Sequence, residues 1–490
     1  MNDLEAPLYT VVIIGSGFGG QTAAINLLKQ GVDDFIMLER RSFAGGTWKQ
    51  NAYPGAAVDV QSPLYSLSFE PYDWTRLYAE QPELEAYTQH IFNKYQLKNK
   101  LRCNANVTEI RWNDVDKHWT VKLNNQEHIK TRFVINATGP LSQPVTPPFK
   151  GLDSFAGASF HTNQWDHQVE LHNKRVAIIG SGASAAQVIP AIVDSVKTLH
   201  VFQRTPHWVI PRKDVTFKPW QRWLLKFKPV AYLLRWFIYW MLEFRIIGFK
   251  YSTRLLESIG TRPAKRHLNR QVKDPDLRQK LTPDFTIGCK RVIISNTLYP
   301  ALTNTNTVFH DKYDGVSEIT PTGIITQKND SIDLDVIIYA TGFDATDGLI
   351  SYPVFGKNGA KLSDFWRDYP RAYLGTSVPE FPNLFIVTGP NTGIGHTSAL
   401  FVIESQMKYI MKAIKIVLGS KSNAIEVTRD AEARYTSMVH REMQSTVWHT
   451  GGCQSWYKSK SGKVIAMFPG FSFSYRRLCS RFRKNDHFTS

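Results

Sequence analysis

Cysteine is scarce in this chain. Four cysteines (Cys103, Cys289, Cys453 and Cys479) stand among 490 residues, and none forms a CxxC pair. That argues against a disulfide framework, a zinc site and a dithiol redox centre, and it fits a reducing, cytoplasmic home. No metal site is expected. A long apolar run is missing too. The most apolar stretch, KFKPVAYLLRWFIYWMLEFRIIGFK, keeps seven uncharged residues together, Trp236 to Leu242, before charges interrupt it. A spanning helix needs about twenty apolar residues, so this one does not cross a bilayer. The start, MNDLEAPLY, has neither the basic nor the apolar region of a secretory signal. Acid is in deficit, with 42 Asp and Glu against 59 Lys and Arg, for a net charge of +17. An excess of that size favours anionic ligands or anionic lipid surfaces. Without a binding motif it does not predict nucleic-acid binding. The basic stretch YRRLCSRFRKND near the end reads as a solvated tail.

What is present is two glycine loops in a chain long enough for two or three domains. YTVVIIGSGFGG runs from an apolar strand into Gly15, Gly17 and Gly20. A helical pattern follows, with Ala23, Ala24, Leu27 and Leu28 on one face and Gly31 as its stop. DFIMLER then reads as a second strand ending at Glu39. Glycines at this turn let backbone approach a pyrophosphate at the helix N-terminus, and the carboxylate suits ribose hydroxyls.

KRVAIIGSGASAAQVI repeats the design with Gly180, Ser181, Gly182, Ala183 and Ser184, and with Ala185 at the third glycine position. Pro190 is expected to kink or end its helix. Glu39 lies 24 residues after Gly15, and Arg204 lies 24 residues after Gly180. The second unit thus carries a cation where the first carries an anion. A guanidinium forks onto a 2′-phosphate, so the second site should prefer NADPH. A nicotinamide donor beside a flavin acceptor makes chemical sense of two sites, and the first would hold FAD.

Between the loops, Phe155, Gly157, His161, Trp165 and Asp166 fit FxGxxxHxxxW(P/D). This resembles the fingerprint of type I Baeyer–Villiger monooxygenases, relatives of the flavin-containing monooxygenases. GGTWKQNAYPGAAVDVQSPLYSLSF, IGCKR, ATGF, FPNLF with GPN, and GGCQSWY also resemble family segments in the family order. Val58 and Pro300 depart from the pattern.

The resemblance implies an α/β fold with two Rossmann-like dinucleotide-binding domains, for FAD and NADPH, and a helical insertion. The boundaries read from the sequence are 1–145 and 340–490 for FAD, 146–215 and 288–339 for NADPH, and 216–287 for the insertion. It also implies NADPH- and O2-dependent conversion of an apolar ketone to an ester or lactone through a flavin C4a-peroxide, with sulfoxidation as a side activity. Arg291 is then the fixed cation of the catalytic site and Asp59 its partner. Lys290 joins Arg204 and Thr205 on the NADP 2′-phosphate. Thr47, Trp48, Tyr65 and Val107 join the flavin site, Trp456 covers the nicotinamide cofactor, and His161 positions or gates. The alternatives are a flavin-containing monooxygenase acting on N or S nucleophiles, an NADPH oxidase, and a nucleotide-binding regulator without turnover. The expected partners are a small ketone and O2, with no nucleic acid, for a monomer or loose homo-oligomer. The insertion is expected to be a buried helical subdomain beside the substrate cleft, in preference to an interfacial segment touching membranes.

Overall fold

A computed structural model describes residues 8–490. The reading of the chain's start as free of a signal falls partly on residues 1–7, outside the described residues.

Two sheets organise the molecule. The first has eight strands, with Leu8–Ile14 at its centre between His128–Asn136 and Phe35–Leu38, parallel to both. Val11 to Ile14 are all buried. An apolar run of this kind forms a strand covered on both faces. One cover is the helix Phe18–Lys29 packed beside the long helix Ala399–Leu418. The other is a cluster that includes Trp112 and Trp119. The second sheet is all parallel, in the order Thr307–His310, Thr198–Phe202, Arg175–Ile179, Val336–Tyr339, Ala158–His161. The chain leaves the first sheet after Asn136 and rejoins it at Val354–Phe355 and Leu384–Ile386. The second sheet is built in between.

Each glycine loop turns out of its central strand. Gly15 has φ +107°, and a Cβ there would meet the Ala137 carbonyl oxygen at 2.5 Å. Gly180 has φ +134°, and its Cβ would meet the Ala340 oxygen at 2.2 Å. Only glycine fits either turn. The first helix ends at Lys29, and Gly31 follows with φ +74°.

The basic end YRRLCSRFRKND is not a solvated tail: Ser472–Ser480 is a helix with Tyr475 and Cys479 buried, and His487–Thr489 pairs with Ile425–Val427. Three further sequence expectations need correction. Pro190 does not break its helix, which continues to Ile192. It falls in the last turn, where a missing N–H costs one bond and the buried Val188, Ile189 and Ile192 hold the turn in place. The cysteines do include a pair: Cys289 and Cys453 are disulfide-bonded, with Cα atoms 6.1 Å apart and a sequence separation of 164. Spacing rules for CxxC do not reach a contact made by two distant loops. Thirdly, the insertion is not buried as a whole. Ile238, Leu242 and Ile246 are buried, but Trp220, Trp223, Leu233, Trp236 and Phe237 are exposed. Among the described residues no helix is long and apolar enough to cross a membrane.

Candidate active site

The first loop opens a cleft of about 1350 Å³, counting the space open to solvent. Gly15, Gly17, Glu39, Thr47, Trp48, Tyr65 and Val107 all line it. Gly20 lies behind the loop instead, where a Cβ would meet the Gly15 oxygen at 2.0 Å. Gly46 closes on Gly17 in the same way, its Cβ position lying 2.6 Å from the Gly17 Cα. Two backbones therefore form the floor with no side chain between them.

The helix beginning at Phe18 has no side-chain cap and no acid in its first turn. Its free N–H groups face the cleft as an anion site. Glu39 is buried and held in place. It accepts from Ser16 Oγ at 2.6 Å, Ser16 N at 3.2 Å and Arg41 N at 3.1 Å. A buried acid beside an uncapped helix and a glycine floor fits FAD, with Glu39 at a ribose and the loop at the pyrophosphate. On the cleft wall Trp48 Nε1 donates to the Tyr65 hydroxyl at 3.1 Å. Burial pushes the Tyr65 pKa up to about 12, so it stays a neutral phenol.

The second loop is more open. A Cβ on Gly182 would meet nothing within 4 Å. The helix Ala183–Ile192 also lacks a side-chain cap and a first-turn acid. Ser181 Oγ donates to the Thr205 carbonyl at 2.8 Å, fixing the loop to the strand end that carries Arg204. Arg204 itself is exposed. Burial, and then the charge of Arg204, lowers the pKa of Lys290. Two cations drawn together at a strand end fit the 2′-phosphate of NADPH.

Arg291 follows Lys290 and turns the other way. Its Nε donates to Asp59 at 2.9 Å and its Nη2 meets the other carboxylate oxygen at 2.6 Å. This fork joins segments 232 residues apart and leaves Nη1 for a guest. About a third of each side chain's surface, 32%, stays open. Asp59, outweighing desolvation, holds the Arg291 pKa above its ordinary value, so the cation is permanent. Tyr65 and Tyr457 lie within electrostatic reach of the pair. Burial, opposed by Arg291, pushes the Tyr457 pKa up to about 12.

Trp456, expected over the cofactor, is 45% exposed and packs edge-on against Tyr457 at 4.5 Å. The disulfide ties its loop to the Arg291 loop. Gly451 lies so close that a Cβ there would be 2.7 Å from the Cys289 Cβ. Gly288 opens the arginine loop with φ +90°, under the ring of Phe249.

The fingerprint residues form the junction. Ala158–His161 is the edge strand of the second sheet, and a Cβ on Gly157 would strike the Asp335 oxygen at 2.5 Å. Phe155 packs under that sheet, and Trp165 stacks edge-on to Phe160 at 5.1 Å. His161 Nδ1 accepts from Asn163 N at 3.0 Å, which places the proton on Nε2. Burial lowers its pKa, and the Gly342 backbone faces it. Asn163 then reaches the flavin side: its Nδ2 donates to Asn51 at 3.1 Å, and its carbonyl accepts from Gln50. His161 and Trp165 thus sit in a buttress between the two nucleotide units.

Sequence reasoning missed four participants. Tyr457 was passed over for its neighbour Trp456. Tyr53 donates to Gln187 at 3.0 Å and so links the flavin-side loop to the second helix. Asn163 lies inside the fingerprint, at a position the pattern leaves open. His207 packs against Lys290 and Arg291, and burial with Lys290 pushes its pKa down to about 4. Its place three residues after Arg204 was the only available signal.

Comparison with known proteins places this geometry. A family profile described as pyridine nucleotide-disulphide oxidoreductase matches residues 12–227. The disulfide at Cys289 and Cys453 lies outside that range. A Baeyer-Villiger monooxygenase of Pseudomonas aeruginosa is 40% identical over 475 residues, covering 96% of this chain and 90% of its own. One of Streptomyces coelicolor is 39% identical, with 96% and 91% covered. Cyclohexanone monooxygenase from Rhodococcus sp. Phi1, solved bound to NADP+, superimposes with a TM-score of 0.90 at 26% identity, covering 99% of this chain and 100% of that one. With two cradled nucleotide loops, a permanent arginine–aspartate pair and relatives aligned end to end, this chain belongs to the Baeyer–Villiger monooxygenases.

Proposed function

We propose that this enzyme converts apolar ketones to esters or lactones, consuming NADPH and O2 and releasing NADP+ and water, with sulfoxidation as a side activity. FAD and NADPH are its cofactors, as in the solved relatives that carry NADP, or FAD with NADP. Bound FAD supplies the redox chemistry, taking hydride from NADPH and passing electrons to O2. The observation that carries the reading is the Arg291–Asp59 fork beside the Tyr65–Trp48 wall of the cleft.

Arg291 offers a cation that does not lose its proton, aimed where negative charge gathers on oxygen. Asp59 fixes its plane through two contacts and leaves Nη1 to hold a substrate or oxygen atom. Tyr65 and Tyr457 stay protonated across the working pH range, so they bring hydroxyl donors and apolar rings but no second charge. Trp48, Tyr65 and Leu400 give the cleft a largely apolar wall. Lys290 and Arg204 select the phosphorylated nicotinamide cofactor. The enzyme works in the cytoplasm.

The test is product analysis. FAD-loaded enzyme is incubated with NADPH, 18O2 and a panel of linear, cyclic and aryl ketones. An ester or lactone carrying one 18O supports the reading. NADPH consumption that yields only hydrogen peroxide across the whole panel counts against it.

A further inference from the structure

The helix Lys228–Glu243 is inside out. Its two interior charges face the protein beside the buried Ile238 and Leu242, and a stripe of large apolar residues faces solvent. Arg235 donates from Nη1 to the carbonyls of Pro63 at 2.7 Å and Ser66 at 2.9 Å. Glu243 is fully buried, accepting from Ser472 N at 2.5 Å and Ser472 Oγ at 2.6 Å, with His396 at 3.3 Å. On the opposite side Val230, Leu233, Phe237, Met241 and Phe244 recur at helical spacing, and all are exposed. Leu233 is 65%, Trp236 59% and Phe237 61% exposed. A water-facing helix shows the reverse arrangement.

The stripe is part of a larger face. Trp220 and Trp223 stand 59% exposed on the preceding helix, Pro219–Leu225, with Phe227 between the two helices. Phe473 extends it from the C-terminal side, 6.0 Å from the ring of Trp240. At about 100 Å² for each large side chain, this face exceeds the few hundred Å² that a water-soluble monomer normally shows.

Charge says what covers it. Lys218, Lys226 and Lys228 are exposed at one end and Arg254 at the other. From residue 215 to 256 the sequence has one acid, the buried Glu243. A two-fold dimer would set these cationic rims against each other, which disfavours a second copy. Exposed tryptophans among lysines, on a helix lying flat, match an anionic bilayer surface.

We infer that the outer face of the helices Pro219–Leu225 and Lys228–Glu243 docks the enzyme on an anionic lipid surface, with Trp223, Leu233, Trp236 and Phe237 entering the acyl boundary. The docked element leads to the active site. Arg245, just beyond the helix, lies in electrostatic reach of Arg291, and Phe249 covers Gly288. An apolar ketone dissolved in the bilayer therefore meets the enzyme on the side where Arg291 sits.

The test is co-sedimentation of FAD-loaded enzyme with phosphatidylcholine vesicles, with and without phosphatidylglycerol, alongside analytical ultracentrifugation. Wild type should pellet with the phosphatidylglycerol vesicles at least about tenfold more strongly than with phosphatidylcholine alone. The variant L233S/W236S/F237S should lose that binding and keep its FAD absorbance. K226E/K228E should lose the lipid preference. The inference is overturned if wild type stays in solution with anionic vesicles, or if the triple variant pellets equally well. It is also overturned if wild type is a dimer that the triple variant converts to monomer, since the face then serves a second copy. None of these readouts depends on oxygenation, so their failure is separable from failure of the proposed reaction.

Discussion

The two nucleotide units share a plan and differ in finish. In the first, the loop backbone is closely packed. Gly20 presses on Gly15, Gly46 on Gly17, and the acid Glu39 is buried and hydrogen-bonded. In the second, Gly182 faces open space, Arg204 is exposed, and the third glycine position is a buried alanine, Ala185. One loop has no room for a methyl group where the other carries one. The closely packed unit suits a cofactor that stays through many turnovers. The open unit suits one that arrives, is oxidised and leaves. Arg291 and Asp59 stand between them, with one partner from each side.

The largest expected effect breaks the link between the units. Arg291→Ala should lower ester formation by about three orders of magnitude or more, while NADPH still bleaches the bound flavin. Stopped-flow absorbance and product analysis on the same sample check this. Ester formation retained near the wild-type rate would remove Arg291 from the chemistry. Next comes Gly20→Ala. A Cβ 2.0 Å from the Gly15 oxygen forces the loop apart, so the purified variant should come out colourless or unfolded. A yellow protein with normal FAD content would mean the loop yields more easily than its packing suggests.

Arg204→Ala should act on the open unit alone. Its apparent KM for NADPH should rise by about tenfold or more, that for NADH should change little, and FAD content should hold. Equal effects on both cofactors would mean that Arg204 does not read the 2′-phosphate, leaving that task to Lys290.

The sequence made the paired loops legible because each combines a strand, glycines and a charged residue within a short span. It gave Glu39 and Arg204 by their equal offsets. It did not join Arg291 to Asp59: the family resemblance suggested the pair, and 232 residues separate them. The Cys289–Cys453 bond and the Tyr457 contact were hidden for the same reason, since both depend on two loops meeting. The insertion misled in a different way. Its apolar content suggests a buried helical subdomain, since apolar side chains of a helix usually face the core. The informative residues were Arg235 and Glu243, whose burial turns the apolar stripe outward.

A smaller effect concerns acid. His207, beside Lys290 and Arg291, is kept neutral, its pKa pushed down from 6.5 to about 4 by burial and then by Lys290. The unfolded chain binds a proton at this residue below its ordinary pKa, and the folded chain does not until about 4. Folding stability is therefore lost as pH falls through that window. At about pH 5 the loss is on the order of 2 kcal/mol. Urea melts at about pH 7 and pH 5 should show His207→Gln losing less stability than wild type by that amount. Identical pH dependence would mean that the ring has access to solvent.

The smallest effect sharpens the comparison most. Gly182→Ala puts a methyl group where nothing lies within 4 Å, at an ordinary backbone geometry of φ −76°. Stability should change by less than about 0.5 kcal/mol and FAD content not at all, in contrast to Gly20→Ala. Any cost should appear in NADPH binding, because the methyl group would occupy the space through which the pyrophosphate approaches the helix N-terminus. A several-fold rise in the apparent KM for NADPH at unchanged melting temperature would show that the second loop is open for the cofactor. An unchanged KM would mean that NADPH is held chiefly by its 2′-phosphate, through Arg204 and Lys290.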